Sequence, residues 1–171
     1  MMEDMKVSNS YNKYNDKFQK SINVTKVTGG KDTNPMLFPN INNEEFKKAV
    51  IASLISAGLY SPDDEYKLTI QIMNVGQPMF GLDMTVTMTI RYILTDSDNN
   101  IIFNKIINKS YTATVSDAFI GTKRFKLAKE GSARANISAL LQEFTVSKED
   151  IKNEIIKKEK EETIFKPISD D

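Results

Sequence analysis

The sequence predicts an α+β fold: a four-stranded, mainly antiparallel sheet with two helices packed on one face, in the order β-α-β-β-β-α, plus a charged C-terminal helix or tail. Three observations predict it. Residues 82–95 alternate apolar and polar side chains almost without a break. Residues 42–57 and 122–144 carry apolar stripes at helical spacing. Clusters of Gly, Pro, Asp and Asn at 29–35, 61–64 and 96–100 separate these segments.

The elements follow in chain order. Residues 1–17 are polar, rich in Asn and Lys, and lack periodicity, which predicts a flexible linker ahead of a single domain at 18–146. Residues 18–28 read as a first strand, with Ile22 and Val24 on one face and Val27 on the other. The turn cluster GGKDTNP follows, and Met36, Leu37 and Phe38 after it are expected to pack onto the body. The first helix has the clearest signals. Asn42 is placed to cap it, Glu45 sits in the capping-box position, and Ile41 and Phe46 have the spacing of a hydrophobic staple. Phe46, Ala49, Val50, Leu54 and Ala57 form its stripe, and Gly58 suits the left-handed C-terminal cap.

Tyr66, Leu68, Ile70 and Ile72 then share one face of a strand over 65–75. Leu82, Met84, Val86, Met88, Ile90, Tyr92 and Leu94 line one face of the next. Polar residues line the other, as in an antiparallel strand with one wet face. DSDNN at 96–100 signals a hairpin into a return strand over 101–114, whose mixed parity predicts an edge or bulged position. Thr122 is the expected N-cap of the second helix, with Ala133, Ile137, Leu140, Leu141 and Phe144 as its stripe. Gly131 inside that helix predicts the close approach of another backbone. Residues 147–171 are charged at helical spacing with few apolar positions, and read as a solvated helix or a disordered tail.

This order brings three loops to one end: 29–41, 76–81 and 114–121. Both helix N-termini point there, and helix N-termini suit anionic groups. The candidate binding residues at this end are Lys31, Asp32, Thr33, Asn34, Gln77, Asp83, Asp117, Lys123 and Arg124. The competing reading is that they only cap helices and satisfy turns.

Composition excludes much chemistry. The chain of 171 residues has no cysteine and no histidine, so thiolate nucleophiles, Cys-type zinc sites and the commonest general base are absent. No cofactor or metal is expected, and no catalytic residue is named. Lysine plus arginine equals aspartate plus glutamate at 23 each, which argues against a nucleic-acid partner. The 20 lysines against 3 arginines, with 15 asparagines, fit an AT-rich genome better than a function. No stretch is apolar enough to span a bilayer as a helix. No apolar signal region follows Met1, so a lipid anchor would require a trimmed N-terminus that carried it.

The stretches VTKVTGGKDTNPMLFPNINNEEFKKAVIASLISAGL, QPMFGLDMTVTMTIRYIL and YTATVSDAFIGTKRFKLAKEGSARANISALL together resemble a family of small bacterial envelope proteins, predicted lipoproteins of unknown function. The resemblance covers roughly residues 22–142. It implies a cell-envelope or periplasmic location, with 1–17 as the linker behind an anchor; this chain departs from the pattern in having no anchor cysteine. Without that implication the location would be cytoplasmic. The expected function is a non-enzymatic envelope accessory with a binding or assembly role. Its partner would be an envelope protein or a small anionic ligand, met at the three-loop end or along an exposed sheet edge. The alternative is a hydrolase or transferase with a carboxylate–lysine site at the same end.

Overall fold

A computed structural model describes residues 2–8, 13–31, 41–63, 65–76, 82–146 and 156. A short helix α1 (Met2–Met5) and a 3-10 turn (Asp16–Phe18) precede β1 (Ile22–Thr28), α2 (Asn43–Ser56), β2 (Tyr66–Val75), β3 (Met84–Asp96), β4 (Ile101–Ala113) and α3 (Gly121–Gln142). The sheet order is β1-β2-β3-β4. β1 pairs parallel to β2, and the other two pairings are antiparallel. This is the α+β architecture expected, with the helices on one face.

β3 sets the layers. Val86, Met88, Ile90, Tyr92 and Leu94 are buried beneath the helices, while Thr85, Thr87, Thr89, Arg91 and Ile93 lie on the uncovered side. A side-chain period of two forces this division, since a slip of one residue would expose the whole apolar set. The strand starts at Met84 rather than at 82, so Leu82 is not on the buried face and is 77 % exposed. Val27 is a second correction. A bulge between Val24 and Lys26 inserts one residue, so Val27 pairs with Ile70 and packs against the core.

α2 forms as its signals predict. The Asn42 carboxamide accepts from the Glu44 and Glu45 amides at 2.8 and 3.4 Å. Ile41 and Phe46 are both buried. At the C-terminus Gly58 adopts φ +72°, the Leu59 amide reaches the Leu54 carbonyl, and the Gly58 amide reaches Ile55. That is a Schellman closure, with Leu59 buried behind it.

α3 starts differently. Ile120 is its N-cap and gives no side-chain hydrogen bond, so Thr122 lies within the first turn. Gly131 meets a side chain rather than a backbone: a Cβ there would fall 2.3 Å from the Tyr111 ring. Further along, Asn136 joins helix to sheet. Its carboxamide accepts from the Tyr92 hydroxyl at 3.0 Å and donates to the Met88 and Ile107 carbonyls at 3.0 and 3.2 Å. Ser132 adds a hydrogen bond to the Lys109 carbonyl at 2.8 Å.

Within 1–17, Met5 is fully buried and Tyr14 nearly so. The Val7 amide donates to Ser53, Arg134 donates to the Asp4 carbonyl, and Tyr14 bridges to Thr145. Isolated apolar residues in a polar stretch carry no period, which is why these contacts were not legible. At the end of the sheet opposite the three loops, Phe18 stacks edge-on against Tyr66 and Phe144, with centroids 5.2 and 5.3 Å apart. The predicted packing of Met36, Leu37 and Phe38 lies outside the described residues, as does the tail apart from Ile156.

Replacing Asn136 by Leu should cost about 2–3 kcal/mol, because buried partners lose their hydrogen bonds. Tyr92→Phe should then cost less in the Asn136→Leu background than alone. Urea denaturation of the four proteins checks this, and strictly additive costs would contradict it.

Candidate functional site

β1, β2 and β4 run in one direction and β3 in the other. Their loops therefore gather at one end together with the N-termini of α2 and α3. Here Gly29 has φ +86°, and a Cβ on it would fall 2.0 Å from the Ile72 carbonyl oxygen, so only glycine fits. The Gly30 amide donates to the Asn43 carboxamide at 2.8 Å, and the Lys31 amide to the Ile41 carbonyl at 3.1 Å. These bonds tie the start of the first loop to the N-terminus of α2. They leave an open depression of about 280 Å³ lined by Gly29, Gly30, Lys31, Ile41 and the 72–75 stretch.

The candidate residues divide into three groups. Lys31, Asp83 and Lys123 are exposed at this end. Arg124 and Asp117 are committed to holding the third loop. The Arg124 guanidinium is buried and donates to the Ala118 and Phe119 carbonyls, both at 2.7 Å. The Asp117 carboxylate accepts from the Thr114 amide at 2.7 Å and the Thr114 hydroxyl at 2.9 Å, which lowers its pKa. Asp32, Thr33, Asn34 and Gln77 lie outside the described residues.

Sequence reasoning missed the apolar side chains of this end. Leu82, Phe119 and Ile120 are 77 %, 89 % and 53 % exposed. Arg124 fixes the carbonyl of Phe119 and so presents that ring on a held loop. The start of α3 lies close to the start of β3: a Cβ on Gly121 would fall 3.3 Å from the Met84 side chain. Single exposed apolar residues are ordinary; here three fall at one end of the fold. The signal available was the pair Phe119-Ile120 between a turn and a helix start, with no partner in any stripe.

A second depression, also about 280 Å³, is lined by Asp4, Tyr111, Asp117, Leu127, Glu130, Gly131 and Arg134. Glu130 is 2 % exposed, and its carboxylate lies 3.8 Å from the Lys126 ammonium. Burial pushes the Glu130 pKa up and that of the buried Lys129 down. Both residues fall within the inward arc of α3, at positions the sequence reading assigned to no role. Lys31 and Asp117 line different depressions, so these two do not share a cavity. Among the described residues no helix is long and apolar enough to cross a membrane, and no three acidic side chains gather as a metal ligand set.

No family model and no curated protein matches the chain by sequence. Solved structures do match it by fold. A candidate lipoprotein from Caulobacter crescentus CB15 aligns with TM-score 0.52 and 12 % identity, over 75 % of this chain and 90 % of that one. A Xanthomonas campestris protein of the DUF330 family aligns with TM-score 0.51 and 11 % identity, over 78 % of this chain and 90 % of that one. At such identities the likeness establishes a common fold.

Two predictions follow from the buried charges. Arg124→Met should destabilise the protein by about 2–3 kcal/mol through lost charge-assisted bonds, whereas Lys123→Ala should stay within about 0.5 kcal/mol. Equal effects in urea denaturation would contradict the assignment. For Glu130, the folded pKa lies above the unfolded one. Its stabilising contribution is therefore full below the ordinary carboxylate range and is lost as pH rises through the raised value. Glu130→Gln should gain stability relative to the wild type between about pH 4 and pH 7. A stability difference that does not change over that range would contradict it.

Proposed function

We propose that this protein is a non-enzymatic accessory of the bacterial cell envelope that docks a protein partner through its three-loop end. The observation that carries the reading is the exposure of Leu82, Phe119 and Ile120 at the same end of the fold as the exposed Lys31, Asp83 and Lys123. A large aromatic held out on a fixed loop and rimmed by polar groups has the composition of an interface anchor. The described geometry favours docking over catalysis: the end is open, Arg124 and Asp117 are spent on the loop, and among the described residues no carboxylate lines the depression beside Lys31. The envelope location is supported by the sequence resemblance and by the description of the Caulobacter protein with this fold.

The test is capture from a solubilised envelope fraction by the full chain. Wild-type protein and an Ile55→Ser control, altered on the outer face of α2, should retain one stoichiometric protein. Phe119→Asp and Leu82→Ser should fold normally and lose it. Retention by these two variants, or no specific protein with the wild type, would overturn the reading.

A further inference from the structure

β4 is an edge strand of 13 residues, with no strand beyond it among the described residues. Its helix-side face carries two lysines, and its uncovered face is polar around one isoleucine. Lys105 and Lys109 pair across from the buried Tyr92 and Met88, so both stand on the helix side of the sheet. Ile106 pairs across from Arg91, on the uncovered side, and is 53 % exposed. No aspartate or glutamate occurs between 101 and 113. An unpaired strand offers backbone donors and acceptors to any extended chain, and its side chains decide which chain fits.

Ile107 is the midpoint of β4. Two copies pairing antiparallel along the whole strand would centre there and place Lys105 directly opposite Lys109, twice. Like charges directly opposite are unfavourable. The same spacing suits an acidic partner. Lys105 already takes one carboxylate on this side, that of Glu143 at 3.1 Å, so the position can seat an anion. Lys109 has no ion pair with a described residue and is exposed.

We propose that the outer edge of β4 accepts an extended segment of another protein, with two carboxylates four residues apart opposite Lys105 and Lys109 and an apolar residue opposite Ile106 on its alternate face. Main-chain pairing along the edge supplies the common affinity, and the two lysines set the choice. This surface is separate from the apolar loop end and stands without it.

The test uses fluorescence anisotropy with labelled peptides of alternating Thr and Val. Two Thr positions four apart are replaced by Glu, by Gln or by Lys. The full chain should bind the Glu peptide about tenfold tighter than the Gln peptide at low salt, with the gap closing as salt is added. The Lys105→Glu/Lys109→Glu protein, checked for fold by circular dichroism, should invert the order and prefer the Lys peptide. Equal binding of Glu and Gln peptides would overturn the charge rule while leaving strand addition standing. A Glu preference that survives the double reversal would place the charge elsewhere and overturn it too. No binding of any peptide would overturn strand addition itself.

Discussion

The alternation of β3 is the constraint on which the rest of the structure depends. One of its faces must be buried, and the helices can cover only one side of the sheet. Val86, Met88, Ile90, Tyr92 and Leu94 take that cover. The face bearing Thr85, Thr87 and Arg91 is left to solvent, where Thr85 bonds Thr112 and Thr87 bonds Ser110 across the strands at 2.8 and 2.7 Å. Because the covering helices start where β1 and β4 end, the loops collect at one end. Asn136 locks the arrangement by binding a side chain of β3 and carbonyls of both β3 and β4 from one helix position.

The arrangement also decides what is left uncovered. β2 and β3 are paired on both sides, whereas β1 and β4 each leave one outer edge without a strand partner among the described residues. The third loop is not slack at its tip. Two bonds from a buried guanidinium and two to the Asp117 carboxylate hold it while Phe119 remains in solvent. Ordering an exposed aromatic in advance lowers the entropy cost of any contact it makes. Of the charged candidates, Arg124 and Asp117 are occupied in shaping the loop.

Much of the fold was legible because period and cap are local signals. Asn42, Ile41, Phe46 and Gly58 each act within a few residues of their place in the chain, and α2 forms as they predict. The misses are non-local. Val27 changes face because of a bulge that no composition reveals, and Leu82 is exposed because β3 starts two residues later than its apolar pattern. Gly131 exists for the Tyr111 ring, twenty residues away in sequence. Met5 is buried by tertiary contact alone. At the loop end, the polar residues chosen from sequence include Lys31, Asp83 and Lys123, which are exposed. The same choice took in Arg124, whose burial only the folded chain reveals, and passed over Phe119, because an apolar residue draws notice only once it is seen to be exposed.

The central claim is that partners meet the loop end. A photoreactive amino acid placed at Phe119, at Leu82 and, as a control, at Ile55 on the outer face of α2 would test it in intact cells. The account predicts that Phe119 and Leu82 crosslink to one and the same envelope protein and that Ile55 does not. Crosslinks from Ile55 alone, or products at Phe119 and Leu82 that differ and match no envelope protein, would contradict it.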